Sequence, residues 1–272
     1  MGTRRRLTRS QAVCGRLVRA ARRTLLAGPV LLIAFGTASA QTPDLVTDRP
    51  DQTESAAAVP RGLVQVETGY LLSRDDGVDT FEAPGTLVRS GLGARTELRV
   101  GHAGVIGSGR RHGAGDSEIG AKVNLIEAAD GWTPQLAVIG GLSLPTGDEP
   151  FSSDGVDPSL LVAFAHELSP RLSLGYNFGA AWESSPGEAG REASLLYTLA
   201  LGIGVTDRLG TFVEVFGNRR TAGYAATDVS IDGGITFLLT RTMQFDLFVG
   251  RGLHGPAADA FFGTGLSFRL PR

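Results

Sequence analysis

The chain is poor in cysteine, lysine, tryptophan and helical periodicity. Its one cysteine, Cys14, stands among 272 residues. It lies in a stretch expected to be cleaved, which excludes disulfides, thiol catalysis and cysteine-ligated metals from the mature protein. Lysine occurs once, at Lys122, so nearly all basic charge is arginine. After residue 40 no segment keeps apolar residues at i, i+3, i+4, i+7, which excludes a helical bundle. No apolar run reaches the ~20 residues of a transmembrane helix. His102, His112, His166 and His254 are scattered and none shows H-x-x-x-H spacing, so nothing points to a metal site or a Ser-His-acid triad. Carboxylates gather at Asp148, Glu149, Asp154 and Asp157, but without EF-hand spacing, and a solvated outer loop is expected there. Glycine clusters such as Gly202-Ile203-Gly204 lack a βαβ context for nucleotide binding. No cofactor and no metal is expected.

What the sequence does hold begins at its N-terminus. Residues 1–40 carry eight arginines and no acidic residue. An apolar run, Thr24–Phe35, follows, and then the small-residue site Ala38-Ser39-Ala40. This is the pattern of a cleaved signal peptide, the alternative being an N-terminal anchor. Past residue 40 there are 18 basic and 28 acidic residues, a net charge of −10. That balance argues against nucleic acid as a partner.

Glycine is the second signal, 38 of 272 residues against a usual ~7%. It is spread through segments in which apolar residues alternate with polar or small ones, the period of a β-strand. Twelve such segments are expected as strands: Gly62–Leu72, Gly85–Ser90, Arg95–Gly101, Gly115–Leu125, Thr133–Leu144, Pro158–His166, Leu172–Trp182, Ala193–Gly204, Thr211–Asn218, Thr227–Leu238, Met243–Gly250 and Ala260–Arg269. Their connections alternate in length. Ser73–Pro84, His102–Ala114, Pro145–Asp157, Glu183–Glu192, Arg219–Ala226 and Arg251–Asp259 are long. Gly91–Ala94, Glu167–Arg171, Val205–Gly210 and Leu239–Thr242 are short, and Ile126–Trp132 is intermediate. Short turns at one end, long loops at the other and an even strand number predict a closed antiparallel transmembrane β-barrel. The expected organisation is a signal peptide at 1–40, a periplasmic or lumenal segment at 41–60 and a barrel at 61–272. The expected place is the bacterial outer membrane. The expected partners are outer-membrane lipid, the barrel-assembly machinery and a small-molecule solute.

Several segments resemble those of one family. They are Thr47-Asp48-Arg49-Pro50-Asp51-Gln52-Thr53-Glu54-Ser55, Gln65–Gly69, Arg95–Arg99, Gly120-Ala121-Lys122, Leu142–Gly147, Asp157-Pro158, Leu174–Asn177 and Val249–Leu253. Together they resemble the outer-membrane barrels grouped as the MetA-pathway of phenol degradation family, over essentially the whole mature chain. The resemblance implies a barrel that passes solutes near aromatic catabolism.

Strand parity places Glu67, Arg89, Arg95, Glu97, Arg99, Glu118, Lys122, Glu214, Asp228, Asp232, Asp246 and Arg269 inside. They would form either a solute-selecting lining or a ladder of internal ion pairs. The acidic segment offers Asp48, Arg49, Asp51 and Glu54, as a lumenal plug docked on Arg95 or Arg99 or as a periplasmic tail. Passive passage of a small apolar or aromatic solute is the expected function, with no catalytic residue. The alternatives are a barrel enzyme of the lipase or protease type and a closed structural barrel.

Overall fold

The computed structural model describes residues 44–127, 132–153, 155–184, 190–221 and 227–270. The expected signal peptide and Cys14 lie outside these residues.

The described chain is all β. Its strands are β1 Val64–Asp75, β2 Val78–Gly91, β3 Thr96–His102, β4 Val105–Ser108, β5 Arg111–Ala114, β6 Ser117–Ile126 and β7 Gln135–Leu144. They continue with β8 Asp157–Ser169, β9 Leu172–Ser184, β10 Arg191–Gly204, β11 Leu209–Arg220, β12 Thr227–Thr240, β13 Met243–His254 and β14 Ala260–Arg269. Each pairs antiparallel with its neighbours, and β1 bonds both β2 and β14, which closes the sheet. Twelve strands make the barrel. The short hairpin β4–β5 extends the sheet beyond β2. Closure leaves no edge in the barrel wall, the condition for a sheet in lipid.

The alternation of the sequence becomes two faces. Leu160, Phe178, Leu195, Leu199, Val213, Ile235, Phe245 and Val249 point outward and are exposed in the isolated chain. Bilayer hydrocarbon is the solvent that suits such a belt. Inward-facing residues are charged, small or amide-bearing. Near the short β8–β9 turn, Phe164 stacks on Tyr176 at 4.8 Å, and His166 lies beside Tyr176. Amphipathic rings favour such an interfacial position.

Two connections differ from the expectation. The stretch 73–84 is not a loop: β1 and β2 run on to meet at Asp76-Gly77, both with positive φ. Asp-Gly is a favoured pair for a two-residue hairpin turn, because glycine takes that φ at no steric cost. The stretch 102–114 is not irregular either, since it contains the β4–β5 hairpin.

Residues 44–63 make no strand. They start at the end that carries the short turns, where Arg269 donates to Asp44 O, rise into the lumen and return to begin β1. Gly91 is where the segment leaves. The Val59 and Pro60 carbonyls lie against it so closely that a Cβ there would collide with them.

Candidate functional site

The lumenal segment is held chiefly by β2, β3 and β6. In alternate positions these strands aim Arg89, Glu97, Arg99 and Lys122 inward, all at most 5% exposed. Glu97 pairs bidentately with Arg89, at 2.9 and 3.0 Å, and accepts a third bond from Arg99 Nη1 at 3.1 Å. Arg89 also reaches Glu67 of β1 at 2.9 Å. Asp48 of the segment completes the group. Its carboxylate meets Arg99 at 2.6 Å, Lys122 at 2.9 Å and Arg89 at 3.1 Å, and it accepts the Ser55 hydroxyl at 2.6 Å. Such short, charge-assisted bonds offset the desolvation of the buried charges. Burial alone would raise the pKa of Asp48. Arg89, Lys122 and Arg99 outweigh that and hold it well below the usual carboxylate range.

Glu54 joins from the segment, 2.7 Å from Arg99 and 3.5 Å from Lys122. The group then holds three cations (Arg89, Arg99, Lys122) against four carboxylates (Asp48, Glu54, Glu67, Glu97). One carboxylate is in excess. Burial, with Asp48 alongside, pushes Glu54 up to about 7. Backbone N–H groups carry part of the remaining negative charge: Asp48 and Arg49 donate to Glu67, and Val59 donates to Glu97.

The rest of the wall ties the segment by single contacts. The Arg49 guanidinium crosses to Asp246 on β13 at 3.0 Å. It lies flat on Gly69 and Gly265, where any Cβ would collide with it. Asn177 and Glu54 exchange a reciprocal pair of bonds: Glu54 N donates to Asn177 Oδ1 and Asn177 Nδ2 donates to the Glu54 carbonyl. Gln52 N and the Thr53 hydroxyl donate to Glu214 on β11. Gln65, Asn124 and Gln244 donate to Val46 O, Ala56 O and Thr47 Oγ1.

Of the inward residues expected from parity, Glu67, Arg89, Glu97, Arg99 and Lys122 meet in one cluster. Glu214 and Asp232 sit together on the far wall as register partners. Asp246 takes Arg49, and Arg269 donates to Gln65 and to Asp44 O. Glu118 points inward but is solvated, lining the outer cavity. Asp228 is at the outer rim, accepting from Asn218 N. Arg95 does not belong to the lining. It precedes β3 in the turn at Gly93–Arg95, is exposed, and pairs with Glu127 of the next turn at 3.1 Å. Inward parity holds only where there is a strand, and β3 starts at Thr96. Arg95 therefore cannot dock the segment; Arg99 does so with Arg89 and Lys122. The neutral ties Gln65, Asn124, Asn177 and Gln244, with Thr198 2.7 Å from the Thr53 hydroxyl, escaped the charge-based reading. Three of them, Gln65, Asn124 and Gln244, lie two residues from a charged lining residue, and that spacing could have found them.

Above the segment lie two cavities. One, of about 670 Å³, is lined by Arg49, Glu54, Glu82, Arg99, His102 and Glu118 among others. The other, of about 560 Å³, is lined by Leu71, Leu161, Leu196, Phe216, Phe248 and Phe261, with Gln52 and Glu54 at its floor. Below, toward the short turns, a cavity of about 460 Å³ has Arg49, Pro50 and Asp51 as part of its lining.

The geometry is that of an outer-membrane barrel whose lumen is crossed by its own N-terminal segment. The COG4313 outer membrane channel from Pseudomonas putida F1 has a similar fold. It is 16% identical, with a TM-score of 0.64 over 79% of this chain and 98% of that one. A KdgM porin solved with disordered oligogalacturonate is similar at 10% identity and a TM-score of 0.52, over 75% of this chain and 98% of that one. Among curated proteins none matches the sequence significantly. The profile described as "Putative MetA-pathway of phenol degradation" matches residues 47–270, and the chain belongs to that family of outer-membrane β-barrels.

Proposed function

We propose that the barrel lets small apolar or aromatic compounds cross the outer membrane passively, and that residues 44–63 are its plug. The observation that carries this reading is the position of residues 50–54. Pro50 and Asp51 line the lower cavity, and Gln52 and Glu54 line the upper one. A short polar strip of the chain thus divides two cavities, each large enough for a small organic molecule. The upper cavity is mostly apolar, which suits an uncharged ring or alkyl group. The names of the family and of its structural relatives point the same way, one being described as a channel and the other as a porin.

Catalysis is not part of this reading. Among the described residues the Gly104 N–H donates to His102 Nδ1, and His166 shares a hydrogen bond with the Tyr176 hydroxyl on the outward parity of β8 and β9, away from the lumen. We also infer that the barrel-assembly machinery delivers the chain to the membrane.

The test is conductance in planar bilayers, with solute uptake into liposomes, for the full barrel and for a form lacking residues 41–60. Deletion should raise conductance and speed uptake of phenol-sized solutes. Replacing Arg99 and Lys122 together by Met should act in the same direction and add nothing to the deletion, because both remove one set of contacts. Unchanged conductance after deletion would overturn the plug.

A further inference from the structure

Two of the lumenal carboxylates face one another with no cation between them. Glu214 and Asp232 are register partners on β11 and β12, and are 1% and 4% exposed. Glu214 accepts from Gln52 N and the Thr53 hydroxyl. Among the described residues no N–H or O–H group of another side chain or of the backbone donates to Asp232, whose polar neighbour is the Glu214 carboxyl itself. The nearby Arg49 is committed to Asp246, and Arg89, Arg99 and Lys122 are committed to the opposite wall. Like charges directly opposite on paired strands repel, and a buried charge calls for a partner.

Gln52, which donates to Glu214, also lines the apolar cavity above the segment. That cavity is aromatic. Phe216, two residues along β11 from Glu214, packs edge-on to Phe261 at 6.0 Å, and Phe261 lies 6.4 Å from Phe248. The Phe261 ring sits over Gly250, the register partner of Asp232, and a Cβ at Gly250 would touch both that ring and Asp232. Carboxylates and ring faces together attract an ammonium group, the first by charge and the second by the ring quadrupole.

We propose that Glu214 and Asp232 bind the ammonium group of a small aromatic amine, with its ring among Phe216, Phe248 and Phe261. This deepens the passage reading by naming a charge class: cationic aromatic solutes ahead of neutral or anionic ones of the same size.

Isothermal titration of the full chain in detergent, at mildly alkaline pH, tests it with four probes: 2-phenylethylammonium, 2-phenylethanol, phenylacetate and sodium chloride. The amine should bind about tenfold or more tighter than the alcohol, a gap of ~1.4 kcal/mol. Phenylacetate should not bind. Asp232→Asn should weaken the amine about tenfold and leave the alcohol unchanged. Asp232→Asn removes a repulsion, so its barrel should fold, and heat-modifiable migration on gels checks this. Equal binding of amine and alcohol would overturn the site. Displacement of the amine by sodium at equal concentration would also overturn it, in favour of an inorganic cation. Binding requires no conduction. A barrel that binds the amine but does not conduct would refute passage and keep the site. A barrel that conducts without preferring the amine would do the reverse.

Discussion

Across the lumen from one another, the β2–β3–β6 wall and the β11–β12 wall both bury carboxylates. On the first wall Glu97 meets two arginines and Asp48 meets three cations. On the second, among the described residues, Glu214 accepts from amide and hydroxyl groups of the segment, and Asp232 faces the Glu214 carboxyl with no cation. The difference is one of job. Saturated pairing fixes a segment in place, because removing any member leaves the others buried and unpaired. On the second wall Glu214 still ties the segment through Gln52 and Thr53, but Asp232 adds no tie and its charge is left unbalanced.

The largest test of this contrast uses matched substitutions. Glu97→Gln strips Arg89 and Arg99 of a partner, and breaking such a buried pair costs about 3–5 kcal/mol. Asp232→Asn has the opposite sign, because it relieves repulsion and should leave the barrel as stable or more so. Urea unfolding in micelles or bilayers measures both. Equal losses at the two sites would mean that the walls do not differ. A smaller effect is expected at the seat of Arg49. Gly265→Ala crowds the guanidinium off the wall, and overpacking of this kind costs about 1–3 kcal/mol. In an Arg49→Ala background the same change should cost nothing, so a double-mutant cycle reports the contact itself.

The smallest effect is that of pH on the docked segment. The docked pKa of Glu54 lies above its ordinary value, so its contribution is fully present below about 4.5 and is lost as pH rises through about 7. The docked pKa of Asp48 lies below its ordinary value, so its contribution is present above about 3.8 and is lost as pH falls further. Docking should be firmest near pH 4 and should weaken as pH rises from about 4.5 to about 7. Amide-exchange protection at Gln52–Glu54, taken relative to the intrinsic rate and greatest near pH 4, is the measurement. Protection that keeps rising above neutrality would remove Glu54 from the cluster.

The barrel was legible because alternation survives in single segments: Leu172, Leu174, Tyr176 and Phe178 sort from Ser173, Gly175, Asn177 and Gly179 without any knowledge of neighbours. The partnerships were less legible, because they depend on register between strands. Parity puts Arg89, Arg99 and Lys122 inside, but only the β2–β3–β6 register brings them to one height. Strand ends mislead in a specific way. Arg95 continues the alternation of β3 one step past the last inward residue, into a turn where inside and outside lose meaning. The β4–β5 hairpin was hidden for another reason: Gly104, Gly107 and Gly109 with Arg110-Arg111-His112 carry no apolar face to alternate.

The charge carried by the segment has a consequence for the barrel without it. Removing residues 44–63 takes away Asp48 and Glu54 and leaves Arg89, Arg99 and Lys122 against Glu67 and Glu97, an excess of one positive charge. It also takes Arg49 from Asp246, so the opposite side would hold Glu214, Asp232 and Asp246 without a cation. The emptied lumen would have a transverse electric field, positive at β2–β3–β6 and negative at β11–β13. A dipolar molecule in such a pore turns to align with the field, and the water inside does the same. The unplugged barrel would therefore sort polar molecules by orientation as well as by size.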